Sequence, residues 1–277
     1  MKESSTPFQK LLTNHFVLLA SLFFWGMSVW WVTIILHGYR GTNDNNLFTV
    51  IYPILSLAGG ITGLIYAERW GGFKSLIGKA LKFLSFGLLA QFFGQAAYTY
   101  YIYLKGVAVP YPSIGDIGYF GSVVFYFLGA LYLAKVCGFG RSTRSLSSKL
   151  LALVVPILLL ACSYFFFLRG YDFSSINYLK TFLDFGYPIG QAIYVSVGII
   201  ALLLSSTAMG GIMKKPILFL IFALIFQYIS DFVFLYQANN GSWYVGGLND
   251  YLYLASYFLM TIALVNIGGV FRTINEA

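Results

Sequence analysis

Polar and charged residues in this chain gather into short clusters separated by eight long apolar stretches. These run Phe16–Leu36, Phe48–Ala67, Ala80–Tyr103, Ile117–Val136, Leu150–Leu168, Tyr187–Ser206, Ile217–Tyr236 and Tyr251–Val270. Each is long enough to cross about 30 Å of hydrocarbon as a helix. The pattern predicts an all-α, polytopic membrane bundle of about eight transmembrane helices, forming one domain over residues 1–277. The first stretch holds Trp25, Trp30 and Trp31 and no small-residue cleavage site follows it, so it is expected to remain as an anchor. The connections Glu68–Lys79, Gly138–Lys149 and Ala208–Pro216 are short, basic and rich in Gly or Ser. The segment Asp172–Phe185, with Ile176, Leu179, Phe182 and Leu183, is amphipathic and expected to lie along the outer surface. Gly59 and Gly63 form a GxxxG pair that permits close helix contact.

Composition sharpens the membrane reading. Apolar residues make up 59% of the chain and charged residues 9%, with a mean hydropathy of +0.78. A soluble domain would carry about a quarter charged residues. The net charge of +8 would suggest nucleic acid in a soluble protein, but its distribution follows topology instead. With the N-terminus inside, 13 of the 17 basic residues fall in cytoplasmic segments, leaving Arg40, Lys105, Arg169 and Lys180 outside. The positive-inside rule therefore predicts a multi-pass cell-membrane protein with both termini cytoplasmic. The basic face contacts membrane lipids, and no nucleic-acid partner is implied. The two cysteines, Cys137 and Cys162, offer neither a disulfide framework nor a metal pattern and read as packing residues.

The chain also repeats itself. Gly-Tyr followed by Tyr-Pro-Ile occurs at Gly38–Tyr39 with Tyr52–Ile54, and again at Gly170–Tyr171 with Tyr187–Ile189. Tyr52 precedes Gln91 by 39 residues and Asp116 by 64; Tyr187 precedes Gln227 by 40 and Asp250 by 63. The run Asp116-Ile-Gly-Tyr119 parallels Asp250-Tyr-Leu-Tyr253. These offsets predict a 4+4 tandem repeat, about residues 16–136 and 150–270. Four spans return the chain to its starting side, so the copies are expected to be parallel, about an axis along the membrane normal.

Candidate chemistry lies where polar residues interrupt the spans. Gln91 and Gln95 correspond to Gln227 and Asp231, each pair spaced i, i+4 and so sharing one helix face. With Gln191 and its counterpart Ser56, these groups are expected to form a polar ligand pocket walled by Tyr and Phe in the outer half of the bundle. Glutamine and serine also bond helices to one another in lipid, which is the competing structural role. Asp231 differs, since an unneutralised acid inside a span is costly and reads as functional. Asp116 and Asp250 stand where spans begin and are expected to cap them. Tyr52-Pro53 and Tyr187-Pro188 are expected to start helices, proline in its preferred first position and tyrosine at the outer interface. There is no Walker loop, HExxH, GxSxG or histidine cluster, so no catalytic set, metal site or cofactor is read.

The run Val109-Pro-Tyr-Pro-Ser-Ile-Gly-Asp-Ile-Gly-Tyr119, with Ser230-Asp231, Gly241-Ser-Trp-Tyr244 and Asp250-x-x-Tyr253, resembles a bacterial membrane module. That module is the multi-span sensory region at the front of diguanylate cyclases, phosphodiesterases and sensor kinases. The resemblance is loose over spans two to eight and closer in these two hairpins. It implies a signalling output domain, which does not follow Val270 here, so a sensor would act through a separate signalling partner. Gly94-Gln95 stands where such modules often carry an acid. The leading expectation is a stand-alone sensor or binding module for an apolar or amphiphilic small ligand. The alternatives are a secondary transporter coupled through Asp231, a lipid-active membrane enzyme (Ser230-Asp231 resembles the lysoplasmalogenase-like family), and a scaffold without ligand.

Overall fold

A computed structural model describes residues 14–107, 109–139, 146–171, 177–208 and 213–275. Among them every regular element is helical: α1 (His15–Leu36), α2 (Asn43–Ile51), α3 (Ile54–Arg69), α4 (Leu76–Thr99), α5 (Gly115–Val136), α6 (Leu146–Ser163), α7 (Tyr178–Ala208), α8 (Lys214–Asn239) and α9 (Leu248–Asn275). Two π-helical turns, Tyr100–Lys105 and Tyr164–Leu168, extend α4 and α6. With α2 and α3 counted as one, seven of these helices are long and apolar enough to cross a membrane, and Leu153–Leu168 is a shorter apolar helix. This is the architecture of a multi-pass membrane protein.

Six helices close into a ring, each touching the next in the order α3, α4, α5, α7, α8, α9 and back to α3. Closely spaced backbones hold the ring together. A Cβ at Gly118 on α5 would lie 2.5 Å from both the Ala90 carbonyl oxygen and the Gly94 nitrogen of α4. The GxxxG pair does the same for α3: Gly59 abuts Thr261 of α9, and Gly63 abuts Ser85 of α4 and Leu264 of α9. Small residues matter here because helices gain nothing by hiding apolar surface from lipid and must associate through close packing.

α1 and α6 lie outside the ring, α1 against α9 and α6 against α7. Phe24 stacks on Phe258 at 4.3 Å and Trp31 on Tyr251 at 4.4 Å, while the Trp31 indole donates to the Gly247 carbonyl at 3.2 Å. The opposite face of α1 leaves Leu18, Leu19, Leu22, Trp25 and Val29 exposed, and α6 leaves Leu150, Leu153, Ile157 and Leu158 exposed. So much contiguous apolar surface needs an apolar surround.

Three expectations are corrected. First, the helix expected to start at Tyr52-Pro53 has another before it: the Thr42 hydroxyl and N–H both donate to Asn45 Oδ1, opening α2 at Asn43. Pro53 thus marks a break between α2 and α3, with Tyr52 capping one helix and Pro53 preceding the other. Second, Pro188 sits inside the 31-residue α7 and starts nothing. The described part of the presumed surface segment, from Tyr178, is the upper end of that helix; Asp172–Ile176 lies outside the described residues. Lys180, Asp184, Tyr187 and Gln191 recur at helical spacing, so one continuous helix puts them on a single face. Third, Cys162 is exposed on α6, whereas Cys137 is fully buried, which pushes its thiol up to about 11. Positions 140–145 and 209–212 of the expected connectors are likewise outside the described residues.

The Gly118 contact is testable, because backbone on both sides cannot yield. Gly118→Ala should cost about 1–3 kcal/mol by overpacking. Gly26→Ala, which meets nothing within 4 Å, should leave thermal unfolding in detergent unchanged or slightly raised.

Candidate functional site

The end of the ring carrying the connections 37–42, 106–114 and 240–247, here the upper end, opens into a cavity of about 480 Å³. The helices contribute stripes at helical spacing: Gln91, Gln95 and Tyr98 from α4, Asp116, Tyr119 and Val123 from α5, and Lys180, Asp184, Tyr187 and Gln191 from α7. Asp231, Phe234, Leu235 and Ala238 come from α8, and Asn249, Asp250, Tyr253 and Tyr257 from α9. Asp231 stands eight residues before the end of α8, about 12 Å along the helix from Asn239 at the rim. Below the cavity the ring is filled by fully buried Leu81, Leu84, Leu88, Leu220, Ile221, Leu224 and Leu264.

Four carboxylates line the cavity, and tyrosine hydroxyls reach all of them. Asp231 is 3% exposed and accepts from Tyr194 at 2.8 Å, Gln227 Nε2 at 2.9 Å and Tyr253 at 3.0 Å. Asp250 accepts from the Gly246 N–H at 2.6 Å, from Tyr52 at 3.3 Å and from Thr49 at 3.5 Å. Asp116 accepts from the Ser113 N–H at 2.7 Å and from Tyr187 at 2.7 Å. Asp184 accepts from Tyr111 and Tyr171, each at 2.7 Å, and from Lys180 at 2.6 Å. The backbone donors to Asp116 and Asp250 come from the turn just before each helix, so both acids tie down a helix entry with one oxygen and hold a distant tyrosine with the other. Gly246 has φ +71° and its Cβ would collide with Asn45, so only glycine delivers that N–H to Asp250.

The two tyrosines placed at the lipid interface by sequence are elsewhere. Tyr52 is 1% exposed and Tyr187 half-buried, each bonded to a carboxylate. They also cross over: Tyr52 bonds Asp250, and Tyr187 bonds Asp116.

The glutamines follow a related pattern. Gln91 donates to Ser122 at 2.9 Å and accepts from Tyr257 at 3.1 Å; Gln227 accepts from Ser256 at 2.5 Å. Gln95 accepts from Tyr119 at 2.7 Å, in the position where Asp231 accepts from Tyr253. Gln191 lines the cavity, is 5% exposed, and its amide has no partner among the described residues. Gln227 lies directly beneath Asp231 and off the lining. Ser56 is not part of the site: its hydroxyl donates to the Pro53 carbonyl at 2.7 Å, closing the break between α2 and α3.

Sequence reasoning missed Asp184, Lys180, Tyr111, Tyr119, Tyr194 and Tyr253. The Asp-x-x-Tyr step in both halves was the available signal for Tyr119 and Tyr253. Reading α7 as continuous would have found Lys180 and Asp184. Tyr111, in the connection after α4, donates to Asp184 across the rim, and partial burial together with that bond raises its hydroxyl above the usual phenol range. Among the described residues no three His, Cys, Asp or Glu side chains converge in a manner that could hold a metal ion.

The crossed latches carry a direct test. A hydrogen bond to a charged acceptor contributes about 1.5–3 kcal/mol. Tyr187→Phe and Asp116→Asn should each destabilise the protein, and a double-mutant cycle should return a coupling of that size. Tyr178→Phe, at an exposed position, should change nothing.

Compared with known proteins, the chain matches no family model, no curated protein and no solved structure.

Proposed function

We propose that this chain is a membrane-embedded receptor module that binds a small amphiphilic ligand from the outer side and signals through a separate partner protein. One observation carries the reading: a cavity of about 480 Å³ at one end of the ring brings four carboxylates, two of them buried, together with aromatic walls. That volume falls in the usual range for small-molecule sites, as does the lining of mostly apolar surface with a few placed polar groups. The resemblance of the 109–119 and 230–253 hairpins to bacterial sensory regions supports the signalling role. The packed leucines below the cavity favour binding over passage, which speaks against a transporter coupled through Asp231. The enzymatic reading has less support: the one serine among the described lining residues, Ser113, donates to Asp116 in the turn that opens α5.

The same reading takes the ring as a parallel duplication of a four-span unit, with α6 and its π turn as the fifth of eight spans. The crossed Tyr52–Asp250 and Tyr187–Asp116 bonds support it, as do the paired contacts α3–α9 and α5–α7. The outer helices do not obey the relation, since α1 packs on α9 and α6 on α7. Both termini then lie in the cytoplasm. In a background lacking Cys137 and Cys162, cysteine placed at Gly41 should react with a membrane-impermeant maleimide in intact cells, and cysteine at Ser75 only after lysis.

Mass spectrometry of small molecules that copurify with the protein tests the binding role. A molecule should be found with wild type and lost or depleted at least tenfold with Asp231→Asn. If no molecule is retained and proteoliposomes show solute flux that the substitution abolishes, the receptor reading is replaced by transport.

A further inference from the structure

Charge balance around the cavity identifies the ligand class. Among the described residues Asp116, Asp184, Asp231 and Asp250 line it, and Lys180 is the one Lys, Arg or His side chain in the lining. Lys180 is already engaged, its Nζ 2.6 Å from Asp184 in an i, i+4 ion pair at the rim. Three carboxylates therefore face the interior without a counter-cation. Their hydrogen bonds come from tyrosine hydroxyls, Gln227, Thr49, Ser113 and backbone N–H groups, which orient the acids and add no positive charge. A charged acid enclosed by protein and lipid is expensive unless it takes up a proton or a cation joins it.

The walls are suited to one kind of cation. Because the tyrosine hydroxyls are spent on acids and on glutamine oxygens, their rings form the surface between those groups. Tyr253, Tyr257 and Tyr52 stack in sequence, with centroids 5.9 Å apart at both steps and interplanar angles of 26° and 23°. This stack runs from the residue that binds Asp231 to the residue that binds Asp250. Rings flanked by carboxylates make the environment that holds ammonium groups. Phe167, Phe234 and Leu235 supply an apolar wall beside it. Among the described residues the acids are spread around the ring and do not converge as a metal site requires.

A second, independent feature points to an occupant. Gln191 is 5% exposed, lines the cavity and shows no side-chain hydrogen bond to a described residue, although its amide can both donate and accept. Buried amides are nearly always paired, so this one is set toward something the cavity holds.

We infer that the cavity binds an organic cation: an ammonium compound with an apolar or aromatic body, its charged centre between Asp231 and Asp250 against the tyrosine stack. The inference rests on the receptor reading and adds the charge and class of the ligand. Gln191 then meets a polar substituent of the bound molecule, and the body lies against Phe167 and Phe234.

The experiment compares matched probes on the purified full-length protein in neutral detergent, by calorimetric titration. The probes are 2-phenylethylammonium and benzyltrimethylammonium, with 2-phenylethanol as neutral counterpart and 3-phenylpropanoate as anion. An ammonium probe should bind saturably and at least tenfold more tightly than both counterparts. Asp231→Asn should reduce that preference tenfold or more, and Gln191→Leu, which removes no charge, should leave the order of the probes unchanged. The wild-type comparison stands even if Asp231→Asn does not fold. Equal or tighter binding of the alcohol or the carboxylate overturns the cation inference while leaving a binding site in place. A neutral or anionic copurified molecule does the same. Failure of all four probes together with an empty cavity by mass spectrometry overturns the cation inference and the receptor reading alike.

Discussion

The constraint on which this structure depends is that a carboxylate placed within a membrane-spanning bundle must find its hydrogen-bond donors inside the protein. Lipid cannot supply them, and an unsatisfied group costs several kcal/mol. Here tyrosine is the main supplier. Its hydroxyl reaches the acid while its ring remains compatible with lipid-like surroundings, so one residue type serves as both wall and donor. Asp231 alone draws on two tyrosines and a glutamine from three helices. Pulling any of those helices away would strip an acid of a donor, so the polar cluster and the integrity of the ring are the same thing.

The closed ring explains why the cavity is confined to one end. In the lower half, leucine and isoleucine fill the centre; close glycine contacts occur in the upper half too, at Gly118 two residues past Asp116. In the upper half, tyrosine and aspartate occupy the same radial positions, and their planar rings and short carboxylates leave space between them. At the break Tyr52-Pro53 and at the proline within α7 a serine hydroxyl adds a bond to the proline carbonyl: Ser56 to Pro53, and Ser163 to Pro188 at 3.1 Å. α1 and α6 remain outside because their apolar faces require lipid more than they require a partner.

What could be read in advance follows from how local each property is. Asp231 and Gln227 were recognisable because their i, i+4 spacing places both on one face in any helix. Gln91 and Gln95 were recognisable for the same reason, and the spans themselves by length. Ser56 was misread because serine has a cheaper local option, a carbonyl three residues back, that spacing between halves does not reveal. Lys180 and Asp184 were assigned to a surface segment because the amphipathic pattern up to Phe185 looked separate from the span; a helix that continues through Gly186 and Pro188 turns that same pattern into one face toward the cavity and another toward Phe120.

The sequence by itself determined that the protein is helical, crosses a membrane several times and keeps its aspartates near one end of its spans, since apolar length and helical period are properties of neighbouring residues. Only the tertiary structure decided which acid meets which tyrosine. Tyr187 and Asp116 are 71 positions apart, and Tyr52 and Asp250 are 198 apart. Those pairs depend on closure of the α3–α9 and α5–α7 contacts, and closure depends on shape fitted across helices distant in the chain. The lone carboxylate of Asp231 looked isolated for that reason: its two tyrosines lie one helix behind and one helix ahead, and come within reach only when the ring is complete.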